Sequence, residues 1–109
     1  MIGEEFDQVV ELTCKNIVDS LSKKGKEYRR NGNVFHNFET AARKKNVSRE
    51  YALSFMAIKH EISIEDMVND LEKGILPTEA MIEEKFGDAI NYLVIKKAMF
   101  LDRINPKRK

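Results

Sequence analysis

A chain of 109 residues with 42% hydrophobic and 34% charged side chains has the composition of one globular domain, long enough for a real but modest core. Its net charge of +1 leaves no basic excess of the kind a general phosphate-backbone binder needs, so nucleic-acid binding is not expected. The single cysteine, Cys14, excludes an intramolecular disulfide framework and points to a reducing, cytoplasmic home.

In chain order, the N-terminus Met1-Ile2-Gly3-Glu4-Glu5 is acidic and lacks the basic-then-apolar pattern of a signal peptide. Phe6, Val9, Val10, Thr13, Cys14, Ile17, Val18 and Leu21 recur at helical spacing and predict a first helix over roughly residues 4–29, with Cys14 as a small core residue. Arg30-Asn31-Gly32-Asn33 is a turn cluster that ends it. Phe35 to Lys45 reads as a short helix packing through Phe35, Phe38, Ala41 and Ala42. Ser48 is the expected N-cap of a following helix carrying Ala52, Phe55, Met56 and Ile58. Ser63-Ile64-Glu65-Asp66 matches a capping box and predicts that one helix stops near Glu61 and another begins.

Gly74 ends that helix, Pro77-Thr78 opens the last one, and Asn105-Pro106 closes it. In the last helix Met81, Tyr92, Ile95 and Met99 lie on one side, and Ile82, Phe86, Ala89, Leu93 and Phe100 cover the opposite flank. Apolar nearly all round, it is expected to be central. Its run from Ala89 to Leu101 is too short to span a membrane, and Asn91, Lys96 and Lys97 interrupt it. The expected architecture is an all-α compact bundle of about four to five helices, a single domain over 1–104 with a basic tail at 105–109.

Three constellations carry candidate chemistry. Glu84 and Asp88 share one side of the last helix with Asn91, at i, i+4 and i+7. Such carboxylates need a partner, either a lysine such as Lys85 or Lys59, or a hard divalent cation such as Mg²⁺. Glu61 and Glu65 could supply the other half of a metal site, or serve a helix terminus if the chain breaks at Ser63. Lys59 and His60 beside them could meet an anionic substrate; no second histidine stands at zinc-ligand spacing. The third stretch, Lys23 to Tyr28 followed by Asn33 to Phe38, brings cations, rings and amides together as a nucleotide cradle would, or else uses Phe35 and Phe38 as plugs for the bundle end. No Walker-type loop and no nucleophile elbow are present.

Five motifs together resemble a known group: Lys24-Gly25-Lys26-Glu27-Tyr28, Phe35-His36-Asn37-Phe38, Lys59-His60, Ser63-Ile64-Glu65-Asp66-Met67, and Glu84-Lys85-Phe86-Gly87-Asp88-Ala89-Ile90-Asn91-Tyr92-Leu93. The chain is similar to small phage-encoded all-α proteins of the nucleotide-modification-associated family and, more distantly, to MazG-like and dimeric dUTPase-like nucleotide pyrophosphohydrolases. The resemblance implies a MazG-like bundle, a dimer or higher homo-oligomer, and a Mg²⁺-dependent nucleoside triphosphate pyrophosphohydrolase. Glu84 and Asp88 would then be catalytic and metal-binding, with Glu61 or Glu65 completing the cage. Lys59 and His60 would compensate phosphate charge, and Asn91, Tyr92 or Asn37 would hold base or sugar. Two departures stand out: Glu84 and Asp88 are four apart where that superfamily's acidic pairs are three apart, and its earlier Glu-x-x-Glu motif is missing. The alternative expectation, which an incomplete cage fits, is a non-catalytic phage accessory or inhibitor protein that binds a host protein or self-associates through its helices.

Overall fold

The computed structural model describes residues 1–23 and 29–105. Four α-helices follow one another: α1 Gly3–Ile17, α2 His36–Lys45, α3 Arg49–Glu72 and α4 Glu79–Ile104. A π-helical extension, Val18–Lys23, continues α1. The first helix is therefore met as far as Lys23; residues 24–28 and the tail 106–109 lie outside the described residues. Among those residues the β content is a single bridge between Arg30 and Asn33, closing the turn that the sequence marks. Asn31 and Gly32 both take positive φ there, 54° and 75°, which small or amide side chains accept. The all-α bundle predicted from helical spacing is the observed fold.

Local signals place the helix ends. Ser48 Oγ accepts the Tyr51 backbone N–H at 3.1 Å and Thr78 Oγ1 accepts that of Met81 at 3.1 Å, so both predicted N-caps form. Asn46 ends α2 in the left-handed region, φ 57° and ψ 47°, and lets the Val47 N–H return to the Ala42 carbonyl at 3.0 Å. Gly74, at φ 78°, does the same for α3.

Three expectations need correction. The helix does not break at Ser63: α3 is continuous for 24 residues, and Ser63 Oγ donates to the Lys59 carbonyl at 2.9 Å instead of capping a new helix. Continuity keeps Leu53, Ala57, His60, Ile64 and Met67 on one face at spacings of four and three, and three of them are fully packed. Cys14 is exposed, because α1 buries no residue at all. The last helix is not sheathed all round: Met99 is its one buried residue, while Phe86, Leu93 and Phe100 remain 43%, 62% and 59% exposed.

The core sits where α2, α3 and α4 meet. Phe35, Leu53 and Met99 are buried together, with Phe38, Tyr92, Ile95 and Ala98 packed against them. Phe35 and Phe38 thus plug the bundle end, the packing role that the sequence offers for them. Among the described residues no helix is long and apolar enough to cross a membrane.

Candidate functional site

The junction of α2, α3 and α4 gathers part of the predicted site. One turn of α4 separates Asp88 from Tyr92, and α3 sets His60 against both. His60 Nδ1 lies 3.7 Å from Asp88 Oδ2, too long for a hydrogen bond and an ion pair only when the imidazole is protonated. The His60 and Tyr92 rings stack at 4.8 Å with a 37° tilt, and Phe38 meets Tyr92 edge-on at 6.0 Å. Burial pushes the Tyr92 phenol up, and the Asp88 charge adds to that, so the hydroxyl keeps its proton at neutral pH. The result is a cluster of one carboxylate, one imidazole and two aromatic rings, in which His60 and Phe38 both pack against Tyr92.

The remaining predicted residues disperse. Glu84 is largely exposed and its carboxylate lies 3.5 Å from Lys85 Nζ, the lysine partner that the sequence offers. Glu61 and Glu65 are exposed on α3, as is Lys59, and Asn37 is exposed on α2. Asn91 lines a different recess of about 280 Å³ between α1 and α4, with Thr13, Asn16, Glu83 and Phe86. There Asn16 Nδ2 donates to Glu83 Oε2 at 3.1 Å. Among the described residues no three His, Cys, Asp or Glu side chains converge as a metal-binding group. Glu84, Asp88, Glu61 and Glu65 therefore do not fit a Mg²⁺ cage within one chain, since a hard cation needs several oxygens at one point.

The most ordered polar assembly escaped the sequence reading. Arg49, at the start of α3, donates through Nη1 to Glu39 Oε2 at 2.9 Å and through Nη2 to Asp102 Oδ2 at 2.9 Å. Its Nη2 also reaches the Met99 carbonyl at 3.4 Å, and its guanidinium lies 4.6 Å from the centre of the Phe35 ring. Burial works against the Arg49 charge, but the bonds it donates to Asp102, Glu39 and Glu50 outweigh it and hold the guanidinium above its ordinary value. Arg103 grips Glu50 with two bonds of 2.7 Å, and chiefly that contact lowers the Glu50 carboxyl to about 2. The Glu39 carboxyl is lowered first by Asn33, whose Nδ2 donates to it at 2.6 Å, and then by Arg49.

This clasp floors an open groove of about 880 Å³ that also exposes Arg43, Asn46 and Ser48. Its three carboxylates, Glu39, Glu50 and Asp102, are matched by Arg49 and Arg103 within the contacts and by Arg43 alongside. Balanced this way, it ties α2, α3 and α4 together and presents little net charge to a ligand. Its bonded partners lie up to 53 residues apart in sequence, so no local pattern signals them.

No known family, no curated protein and no solved structure matches this chain.

Proposed function

We propose that this chain is a self-associating helical protein, non-catalytic by itself, whose helices complete their burial against further copies in the manner of an accessory or inhibitor protein. One quantity supports the reading above the rest. The chain exposes 8643 Å², whereas a compact folded monomer of 12.6 kDa exposes about 6,200 Å². Part of that surplus is exposed apolar surface of the kind that a subunit of an obligate dimer covers on assembly. Phe6, Phe55, Leu93 and Phe100 are each more than half exposed. Sedimentation of the full chain at tens of micromolar tests it, with a dimer or larger species expected and a strict monomer refuting it.

The meeting of His60, Asp88 and Tyr92 favours a second reading, a Mg²⁺-dependent nucleoside triphosphate pyrophosphohydrolase-like protein of phage origin that acts on or binds a (deoxy)nucleotide. In this reading the exposed side of the His60–Tyr92 pair meets the base, Asn37 bonds base or sugar, and Lys59 meets phosphate, while Asn91 is turned to the recess against α1. Glu84, Asp88, Glu61 and Glu65 do not converge in one chain, so acids from a second subunit would have to join them. Thermal unfolding with Mg²⁺ or Mn²⁺, with and without mixed nucleoside triphosphates, separates the two readings. Nucleotide binding raises stability by about 1 kcal/mol or more at saturating ligand, and Asp88→Asn abolishes the gain. No shift with any metal or nucleotide leaves self-association alone.

A further inference from the structure

Between α2 and α3 runs an apolar groove with cations beside it. Val47, Ala52 and Met56 line it together with Tyr51 and Phe55, whose rings are 6.3 Å apart at a 33° tilt and which stay 58% and 67% exposed. Its volume of about 240 Å³ is roughly eight waters' worth of space, room for one aromatic side chain. Lys45, in the last turn of α2, is the one charged lining residue among the described residues, and Lys59 follows Phe55 by one turn of α3. Neither lysine is within ion-pair distance of a carboxylate among the described residues. The nearby acids are engaged or turned elsewhere. Glu39 and Glu50 belong to the Arg49 clasp, Glu61 stands half a turn around α3 from Ala52, and Asp66 lies two turns past Lys59. Exposed rings edged by free cations suit an apolar segment that carries acids.

Helix α1 has that chemistry. Residues 2–14 hold four acids, Glu4, Glu5, Asp7 and Glu11, and no lysine or arginine; the first cation, Lys15, comes one turn past Glu11. Phe6 and Val10 lie one turn apart and are 58% and 46% exposed. Neither lines the recess against α4, which takes Val9, Thr13 and Ile17 instead. Glu4, Asp7 and Glu11, three and four residues apart, share the flank beside them. These acids span about 10 Å along α1, and Tyr51 to Lys59 spans about 12 Å along α3. Within one chain α1 is held against α4 through Asn16 and Glu83, so an α1 that meets the groove comes from another copy.

The geometry points to α1 of one copy seated on the α2–α3 groove of another, with Phe6 and Val10 against Tyr51 and Phe55 and the acids of α1 beside Lys45 and Lys59. This rests on the self-association reading and names the two surfaces responsible for it. The contact joins unlike surfaces, so copies close it by exchanging their α1 helices across a two-fold axis or by forming a ring.

The test uses the full chain and measures mass in solution by sedimentation equilibrium, with far-ultraviolet circular dichroism as the check on folding. Wild type is expected well above the 12.6 kDa of one chain. Phe6→Glu and Phe55→Glu, at side chains already exposed in the single chain, are each expected to weaken association at least about ten-fold with helicity kept. An equimolar mixture of the two recovers a species of twice 12.6 kDa, because one copy keeps an intact α1 and the other an intact groove. The double variants D7K/E11K and K45E/K59E each weaken association, and mixing them restores it above either alone. A monomeric wild type overturns both this docking and the self-association reading. Association that survives Phe6→Glu or Phe55→Glu, or a mixture of those two that stays monomeric, overturns the docking alone. Charge variants that associate no better mixed than apart overturn α1 as the occupant of the groove.

Discussion

The junction of α2, α3 and α4 and the outer flank of α1 and α4 are built from similar residues and end in opposite states. At the junction, Phe35, Leu53 and Met99 are buried and Arg49 stitches three helices over them. On the flank, α1 buries nothing and the outer side of α4 stays wet, although Phe6, Val10, Phe86 and Leu93 are as apolar as anything in the core. Hydrophobicity alone therefore does not decide burial; a residue is buried only where a second and a third element close over it. The junction reads as a finished core and the flank as half of one.

Substitutions sharpen that contrast. Leu53→Ala, at a fully buried side chain, is expected to cost about 3 kcal/mol in denaturant unfolding at any protein concentration. Val10→Ala, on the half-exposed flank, should cost far less in dilute solution. Next in size, Arg49→Met strands Glu39 and Asp102 beside the core and is expected to cost about 2 kcal/mol, read from the same unfolding curves. A loss below about 0.5 kcal/mol would make the clasp a surface ornament.

Acid offers a third way to weaken the junction. The Glu50 carboxyl is lowered from an ordinary 4.5 to about 2, so it is charged in the fold where the unfolded chain begins to take up a proton. Its contribution is full above about pH 5 and is lost as pH falls through about 2. Unfolding midpoints measured down this range should drop in wild type and drop less in Arg103→Gln, which removes the main cause of the shift. The smallest effect belongs to the flank: Cys14→Ser should change stability by less than about 0.5 kcal/mol, since the thiol is exposed.

What the sequence reveals divides along the same line. Helix ends are written locally, and Ser48, Thr78, Gly74 and the Asn31-Gly32 turn are found where residue chemistry puts them. Ser63 misleads because a capping-box pattern says only that a break is chemically possible. The packed face of Leu53, Ala57 and Met67 decides against it, and that face depends on α2 and α4. Cys14 and the flank of α4 mislead for a related reason: an apolar stripe announces that it needs a partner without saying whether the partner lies in the same chain. At the candidate site, Asp88 and His60 were visible as chemistry, but their meeting with Tyr92 and Phe38 is a product of helix packing. Arg49 was invisible altogether, because its partners come from residues 39 and 102.

The six residues between α3 and α4 have a kinetic consequence. They join the two longest helices into a hairpin with Gly74 and the Thr78 cap already fixing its corners. Loops this short close in roughly 10–100 ns, long before any encounter between separate chains at micromolar concentration. Refolding is thus expected to begin with a first-order phase that forms this hairpin, and any step that gathers copies must follow it and quicken with dilution reversed.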